Sequence, residues 1–352
     1  MNILIHDING EYDEKLIVNG CGGSETWTIK LSDALSMLGH DVYVATNCKE
    51  YHTTNTGVHY LVLSNLFTTE LPKFDIIVFS RVVTDFGMRF AISQQAKIYI
   101  MVHDVCITYY DSNTNNYYLL DGKYKDILSH VDRIMALSDF HRDLLITKYR
   151  IPKEKIYLTK NGLDFNEFLD IDLDKERDKS ILFSSRPERG LDLIYNNLFN
   201  KIREQIPEFK LYYCTYVDEY KPWINDENVI NLGKLPKRQL YEEMARHRVW
   251  FYPGTYDETF CITAIENISC GVEVVSPMTY GLSTTLDFMY DERMNNKFNN
   301  YSFGLAVNEA TKLIVSRINH YYDEDRVRKR KERIDLVRKN YNWINIANKF
   351  IY

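Results

Sequence analysis

Short apolar runs of β-type residues recur along the first half of the chain, at 3–5, 42–45, 76–79, 98–102, 134–137 and 156–158. Between them, segments such as 24–38 and 139–149 carry apolar residues at helical spacing. Such alternation predicts βαβ units and a parallel sheet covered by helices on both faces. Residues 170–179 break the pattern with alternating acids and bases and read as an interdomain linker. The alternation then restarts with runs at 181–183, 209–214, 249–252 and 272–275, separated by helical segments 190–206, 236–247 and 260–270. The expected fold class is α/β, with two doubly wound units in tandem. A last amphipathic segment opens at Trp343, carries Ile344, Ala347, Phe350 and Ile351 on one side, and is expected to pack back on the first unit.

Composition supports this division. A chain of 352 residues exceeds the common one-domain size, and 45% apolar with 14% aromatic residues suffices for two packed cores. The formal charge of −6 argues against nucleic acid as a partner, because phosphate backbones are bound by basic surfaces. Cys21, Cys48, Cys106, Cys214, Cys261 and Cys270 form no C-x-x-C pair, and the N-terminus runs straight into a strand. Both features predict a reducing, cytoplasmic setting. No apolar run reaches the roughly 18 residues of a membrane span. The basic run 326–333, RVRKRKER, reads as a solvated helix face or as a peripheral contact with an anionic membrane.

In doubly wound sheets ligands sit beyond the C-terminal ends of the strands, so the residues that follow each apolar run are the candidates for chemistry. Gly22-Gly23-Ser24-Glu25 stands at the mouth of a helix, where glycines let backbone approach a phosphate or sugar; the alternative is a flexible loop capped by Ser24. A dinucleotide-type G-x-G-x-x-G is absent, since Glu25 stands where the third glycine belongs. His103 and Asp104 follow the 98–102 run, with no second ligand nearby at zinc spacing. In the second unit, Arg186, Arg189 and Gly190 occupy a strand-to-helix turn suited to a diphosphate, which guanidinium forks bind well. Glu258 lies in the loop after 249–252 and Glu266 inside the next helix, whose start is a second anion site. As a hydrolase pair the two acids fit poorly, lying ~12 Å apart along an ideal helix where a retaining pair needs about 5 Å. The Asp-x-Asp sequences at 170–172, 172–174 and 323–325 lie in charged stretches and are read as solvated, so no metal is expected.

In order and spacing these residues resemble the family 4 retaining glycosyltransferases, which have the GT-B architecture of two Rossmann-like domains facing across a cleft. The likeness runs through Gly22 to Glu25, Gly39-His40, His103-Asp104, Ser138, Asn161 to Asp164, Arg186 to Gly190, the Glu258-x7-Glu266 pair and Trp343. It implies an acceptor-binding domain over 1–168 plus the helix at about 340–352, and a donor-binding domain over 169–339. It also implies transfer of a hexose from a UDP-, GDP- or ADP-sugar to an acceptor hydroxyl of a glycan, glycolipid or glycoprotein precursor, with retention and without a metal or other cofactor. Glu266 would then bind the nucleotide ribose, Glu258 the donor sugar, Arg186 and Arg189 the diphosphate, and His103 the sugar near the reacting carbon. Gly22, Gly23, Thr259, Phe260 and Cys261 complete the expected donor contacts.

Three departures stand out. Arg186 and Arg189 lie three apart, where the family usually has a longer gap between an arginine and a lysine, which leaves open which of the two dominates at the diphosphate. Glu273 occupies the place of a usual proline, and the loop at 277–291 lacks a clean glycine-glycine-acid pattern. Acceptor recognition is expected in the loops 7–21 and 109–121, the latter rich in Tyr and Asn. A sugar-nucleotide epimerase of the same fold and an inactive sugar-nucleotide-binding subunit are the competing readings.

Overall fold

A computed structural model describes residues 1–215 and 224–351; Tyr352, at the end of the segment assigned to the closing helix, lies outside them. The chain forms two compact units, one of Met1–Ile17, Cys21–Gly162 and Tyr341–Tyr352, the other of Val18–Gly20 and Leu163–Asn340.

The first unit holds β1 (Asn2–His6), β2 (Asp41–Thr46), β3 (His52–Thr53), β4 (His59–Val62), β5 (Ile76–Ser80), β6 (Val82–Thr84), β7 (Lys97–Met101), β8 (Ile107–Asp111), β9 (Asn116–Leu120), β10 (Arg133–Ala136) and β11 (Ile156–Leu158). Eight of these build one sheet in the order β11-β10-β7-β5-β1-β2-β4-β3, parallel except for the β3–β4 pair. Consecutive residues of the central strands, such as Ile3, Leu4 and Ile5, are all buried, which is the mark of a sheet covered on both faces. A separate sheet, β6-β8-β9, pairs parallel and then antiparallel. The sequence reading treated 109–121 as loop, because Asp and Asn clustered at the hairpin turn hide two short Tyr-rich strands.

The closing helix Trp343–Ile351 packs on the helix Gly23–Met37, with the Phe350 and Trp27 rings 5.9 Å apart. Gly162 is required beneath it: a Cβ there would lie 2.6 Å from the Trp343 ring. The first helix opens at Gly23 after an N-cap Gly22, so Ser24 is already inside it and does not cap it.

The second unit holds β12 (Asp178–Phe183), β13 (Lys210–Tyr213), β14 (Val229–Asn231), β15 (His247–Phe251) and β16 (Glu273–Val275), all parallel in the order β14-β13-β12-β15-β16. Strand β12 begins at Asp178, so the linker is shorter than the charge pattern suggested. Arg177 is buried before it and donates to the carbonyls of His247 and Cys270. Within the 190–206 segment the helix runs from Leu191 to Arg203, with a π-helical stretch Ile194–Phe199 between two α-helical pieces.

The basic run lies on the helix Glu324–Asn340, and most of it is neutralised internally. Arg330 and Arg333 reach the fully buried Glu273 at 3.2 and 3.0 Å. Arg317 and Arg326 reach Glu292 at 2.8 Å each, and Arg333 bonds Glu292 as well. Arg328 and Lys329 pair with Asp325 on the same helix. These pairs correct the expectation of a solvated face: its spacing turns Arg326, Arg330 and Arg333 inward, against Glu273. Among the described residues no helix is long and apolar enough to cross a membrane.

Removing one partner of a buried ion pair leaves an uncompensated charge. Glu273→Ala should therefore lower unfolding stability by about 3–5 kcal/mol in urea titration. A loss below ~1 kcal/mol would mean that Glu292 alone neutralises the arginines.

Candidate functional site

In the second unit the turn after β12 is a short 3-10 helix, Pro187–Arg189, closed by Gly190 at φ 135°. A Cβ on Gly190 would stand 2.4 Å from Pro253, so only glycine lets this turn lie against the end of β15. That approach brings Arg189 to Glu258, Nη1 to Oε1 at 2.8 Å, while the Tyr252 hydroxyl donates to the same oxygen at 2.9 Å. The guanidinium also lies 4.0 Å from the Tyr256 ring centroid. Burial, and next the charge of Glu258, push the Tyr252 phenol far above its usual range, so it remains a donor. Arg186 is half-exposed and lies 3.8 Å from Glu188.

Glu266 forms a second cluster. It lies on the helix Ile262–Ser269, is only 3% exposed, and accepts from Lys237 Nζ at 2.5 Å and from the Tyr241 hydroxyl at 3.1 Å. Lys237 and Tyr241 are four apart on the helix Lys237–Met244 and so share one face. Burial and the adjacent carboxylate hold the Tyr241 phenol well above its normal pKa. The sequence reading missed both residues. Pro236, which immediately precedes that helix, marked its start, but nothing local pairs positions 29 residues apart.

The helix bearing Glu266 begins at Ile262, two residues later than Phe260, because Cys261 takes a left-handed conformation at φ 73°. Phe260 and Thr259 belong to the loop and are covered by 276–282. Gly281 donates to the Glu258 carbonyl at 2.8 Å, and the Thr285 hydroxyl to the Phe260 carbonyl at 2.6 Å. A Cβ on Gly281 would fall 2.2 Å from the Thr259 carbonyl oxygen. Met278 and Tyr280 are left-handed without being glycine, at φ 49° and 55°. The blurred glycine pattern is thus met by one essential glycine and two strained residues.

In the first unit, Gly22 and Gly23 form a helix start with no side-chain cap. His103 follows β7, and its Nε2 lies 3.3 Å from the Ser80 hydroxyl, which contacts Thr28 at 3.2 Å. Thr28 in turn donates to the buried Asp7, which also accepts from Tyr12 at 2.7 Å. Arg81, left-handed at φ 68°, holds Asp104 through Nε at 2.6 Å and Nη2 at 3.4 Å. Burial, then the Arg81 guanidinium, pull the His103 pKa down to about 3, so the ring is neutral at physiological pH. Arg81 escaped the sequence reading, although it directly follows an apolar strand, and Asp7 entered it only as the start of an acceptor loop.

Among the described residues the one group with metal-ligand proximity is Asp13, Glu14 and His52, none of them a candidate site residue. There His52 Nε2 already contacts Glu14 at 2.7 Å.

Residues 21–167 match the family model described as Glycosyltransferase Family 4. No curated protein matches the chain in sequence. Among solved structures, sucrose-phosphate synthase from Thermosynechococcus elongatus is similar at 15% identity and TM-score 0.67, over 99% of this chain and 97% of that one. HepE of Anabaena in complex with UDP-glucose aligns at 13% identity and TM-score 0.63, over 100% and 98%. The catalytic domain of starch synthase IV from Arabidopsis thaliana, bound to ADP and acarbose, aligns at 12% and 0.65, over 99% and 97%. The two parallel sheets and the returning C-terminal helix are the GT-B fold these structures share.

Burial also lowers His6 and His141 to about 4. Since a free imidazole titrates near 6.5, the unfolded chain binds protons between roughly pH 6.5 and 4 that the folded one does not. The stability these three histidines confer should be complete above about pH 6.5 and fall as pH drops through that window. Urea titrations at pH 7.5 and 5 check this; equal stabilities would show the rings to be solvated.

Proposed function

We propose that the chain, whose residues 21–167 match glycosyltransferase family 4, moves a hexose from a nucleoside diphosphate sugar to an acceptor hydroxyl, with retention at the anomeric carbon. The observation that carries this reading is the pair of carboxylate clusters beyond the strands of the second unit, Glu258 with Arg189 and Tyr252, and Glu266 with Lys237 and Tyr241. Each acid is partly shielded and already oriented by donors, which suits it to accept hydrogen bonds from ligand hydroxyls.

In this reading Glu266 receives the ribose hydroxyls and Glu258 those of the donor sugar. Arg189 and Arg186 hold the diphosphate, together with backbone N–H groups of 259–261 in the loop that leads into the helix. The reaction develops positive charge on the sugar and negative charge on the departing diphosphate, so fixed cations near the latter lower the barrier selectively. Arg189 is suited to both tasks, since its contact with Glu258 links sugar and phosphate recognition. Neutral His103 contributes a hydrogen bond to the sugar and no competing positive charge. Gly22 and Gly23 leave an uncapped helix start available to the donor. A phosphate oxygen of the donor takes the acceptor proton, so no protein base is assigned. Residues 169–339 thereby serve the donor, and 1–168 with the closing helix serve the acceptor.

Arg189 and Lys237 are cations placed directly at the two acids, where a divalent metal would have to compete with them. We therefore assign the transfer no metal. The complexes of HepE with UDP-glucose and of the starch synthase with ADP favour UDP- and ADP-sugars as first donors to try.

Thermal shift against UDP, ADP, GDP and their sugars should reveal one preferred nucleotide. With that donor, Arg189→Ala should lower kcat by about 100-fold or more, the usual effect of losing a donor to transition-state charge. Near-normal turnover by the variant would remove Arg189 from its role. Excess EDTA should leave the rate unchanged, and a loss restored by manganese would contradict the metal-free assignment.

A further inference from the structure

The β8–β9 hairpin presents a face that the donor chemistry does not use. In the β8–β9 register, Thr108 stands opposite Leu119 and Tyr110 opposite Tyr117, which puts these four side chains on one side. The alternate residues Ile107 and Leu120 are buried in the core of the first unit. On the outer side Tyr117 is 62% and Leu119 45% exposed, and the Tyr110 and Tyr117 rings lie 4.9 Å apart. Asn115 accepts from the Tyr110 hydroxyl at 2.8 Å, fixing that ring.

This sheet is continuous with the rim that carries His103. Strand β6 starts two residues after Ser80, and β8 starts three after Asp104. The Arg81–Asp104 ion pair ties the two departing chains together at that point. The segments that lead into the tyrosine face therefore depart from the strand ends beside His103.

We propose that this face is a platform for a neutral carbohydrate chain, the acceptor, and that it binds sugar units beyond the one that is glycosylated. The inference rests on the transferase reading above. Tyrosine rings offer flat apolar surface with a polar edge, matching a sugar's C–H face and hydroxyl rim. The three strands contain one charged side chain, Asp111, and its Oδ1 accepts from the backbone and side chain of Asn113. With no cation on these strands, phosphorylated or acidic acceptors and anionic lipid surfaces are poorly served.

The test uses the full chain with its preferred donor and a series of neutral oligosaccharides of one to five sugar units. For the wild type, KM should fall as the acceptor lengthens. Tyr117→Ala should raise KM for the longer acceptors about tenfold, the size of a single aromatic hot-spot contact, with little change in kcat. Tyr117→Phe should restore the wild-type value, since the ring face carries the contact. Unchanged nucleotide binding by thermal shift verifies that the variants fold.

An unchanged KM in Tyr117→Ala, or a wild type that binds the donor but engages none of these oligosaccharides, overturns the platform and leaves the transferase reading standing. Binding to phosphatidylcholine vesicles or to an unfolded polypeptide that Tyr117→Ala abolishes, without acceptor-length dependence, also overturns it. Failure of the wild type to bind any nucleotide sugar would defeat the transferase reading itself.

Discussion

A carboxylate taken out of water needs a cation or several donors beside it, and the second unit meets that requirement three times within sixteen residues. Glu258 is held by Arg189 from the turn after β12, Glu266 by Lys237 from the preceding helix, and Glu273 by Arg330 and Arg333 from the helix Glu324–Asn340. The three acids sit in one loop-helix-strand stretch, and each is tied to a different part of the unit. The stretch is therefore pinned at its start, middle and end. Two of these contacts leave a carboxylate near the strands' C-terminal edge with an oriented partner, while the third lies wholly inside and stiffens the scaffold.

Pinning alone does not shape the loops around Glu258. Gly190 and Gly281 make close backbone approaches that any Cβ would block, and Gly254, Cys261, Met278 and Tyr280 adopt left-handed backbone nearby. Left-handed conformations of non-glycine residues carry a cost, offset here by dense packing and the carbonyl contacts of Gly281 and Thr285. Such a loop has little freedom left to lose when a ligand arrives, which favours binding.

In the first unit a chain of hydrogen bonds reaches from Tyr12 through Asp7, Thr28 and Ser80 to His103. Burial keeps the imidazole neutral, so it can hydrogen-bond a polar ligand without repelling cationic charge. The Arg81–Asp104 pair stands beside this chain and also holds the root of the tyrosine-bearing sheet. The elements that orient His103 and those that present the exposed tyrosines are therefore parts of one local structure.

Much of this was legible in the chain. Apolar runs buried on both faces announced two parallel sheets, and glycines, arginines and acids just beyond those runs marked the candidate site, because strand ends and helix starts are local features. The β8–β9 hairpin was not legible, since two short strands flanking an Asn-rich turn look like a loop until a core takes up Ile107 and Leu120. Partners remote in sequence were equally hidden: Lys237 for Glu266, and Arg330 and Arg333 for Glu273. A residue's own neighbours along the chain set its secondary structure, whereas the charge that neutralises a buried acid is chosen only when distant elements pack together. Tertiary structure accordingly turned a basic helix that could have faced solvent into the counterion of Glu273.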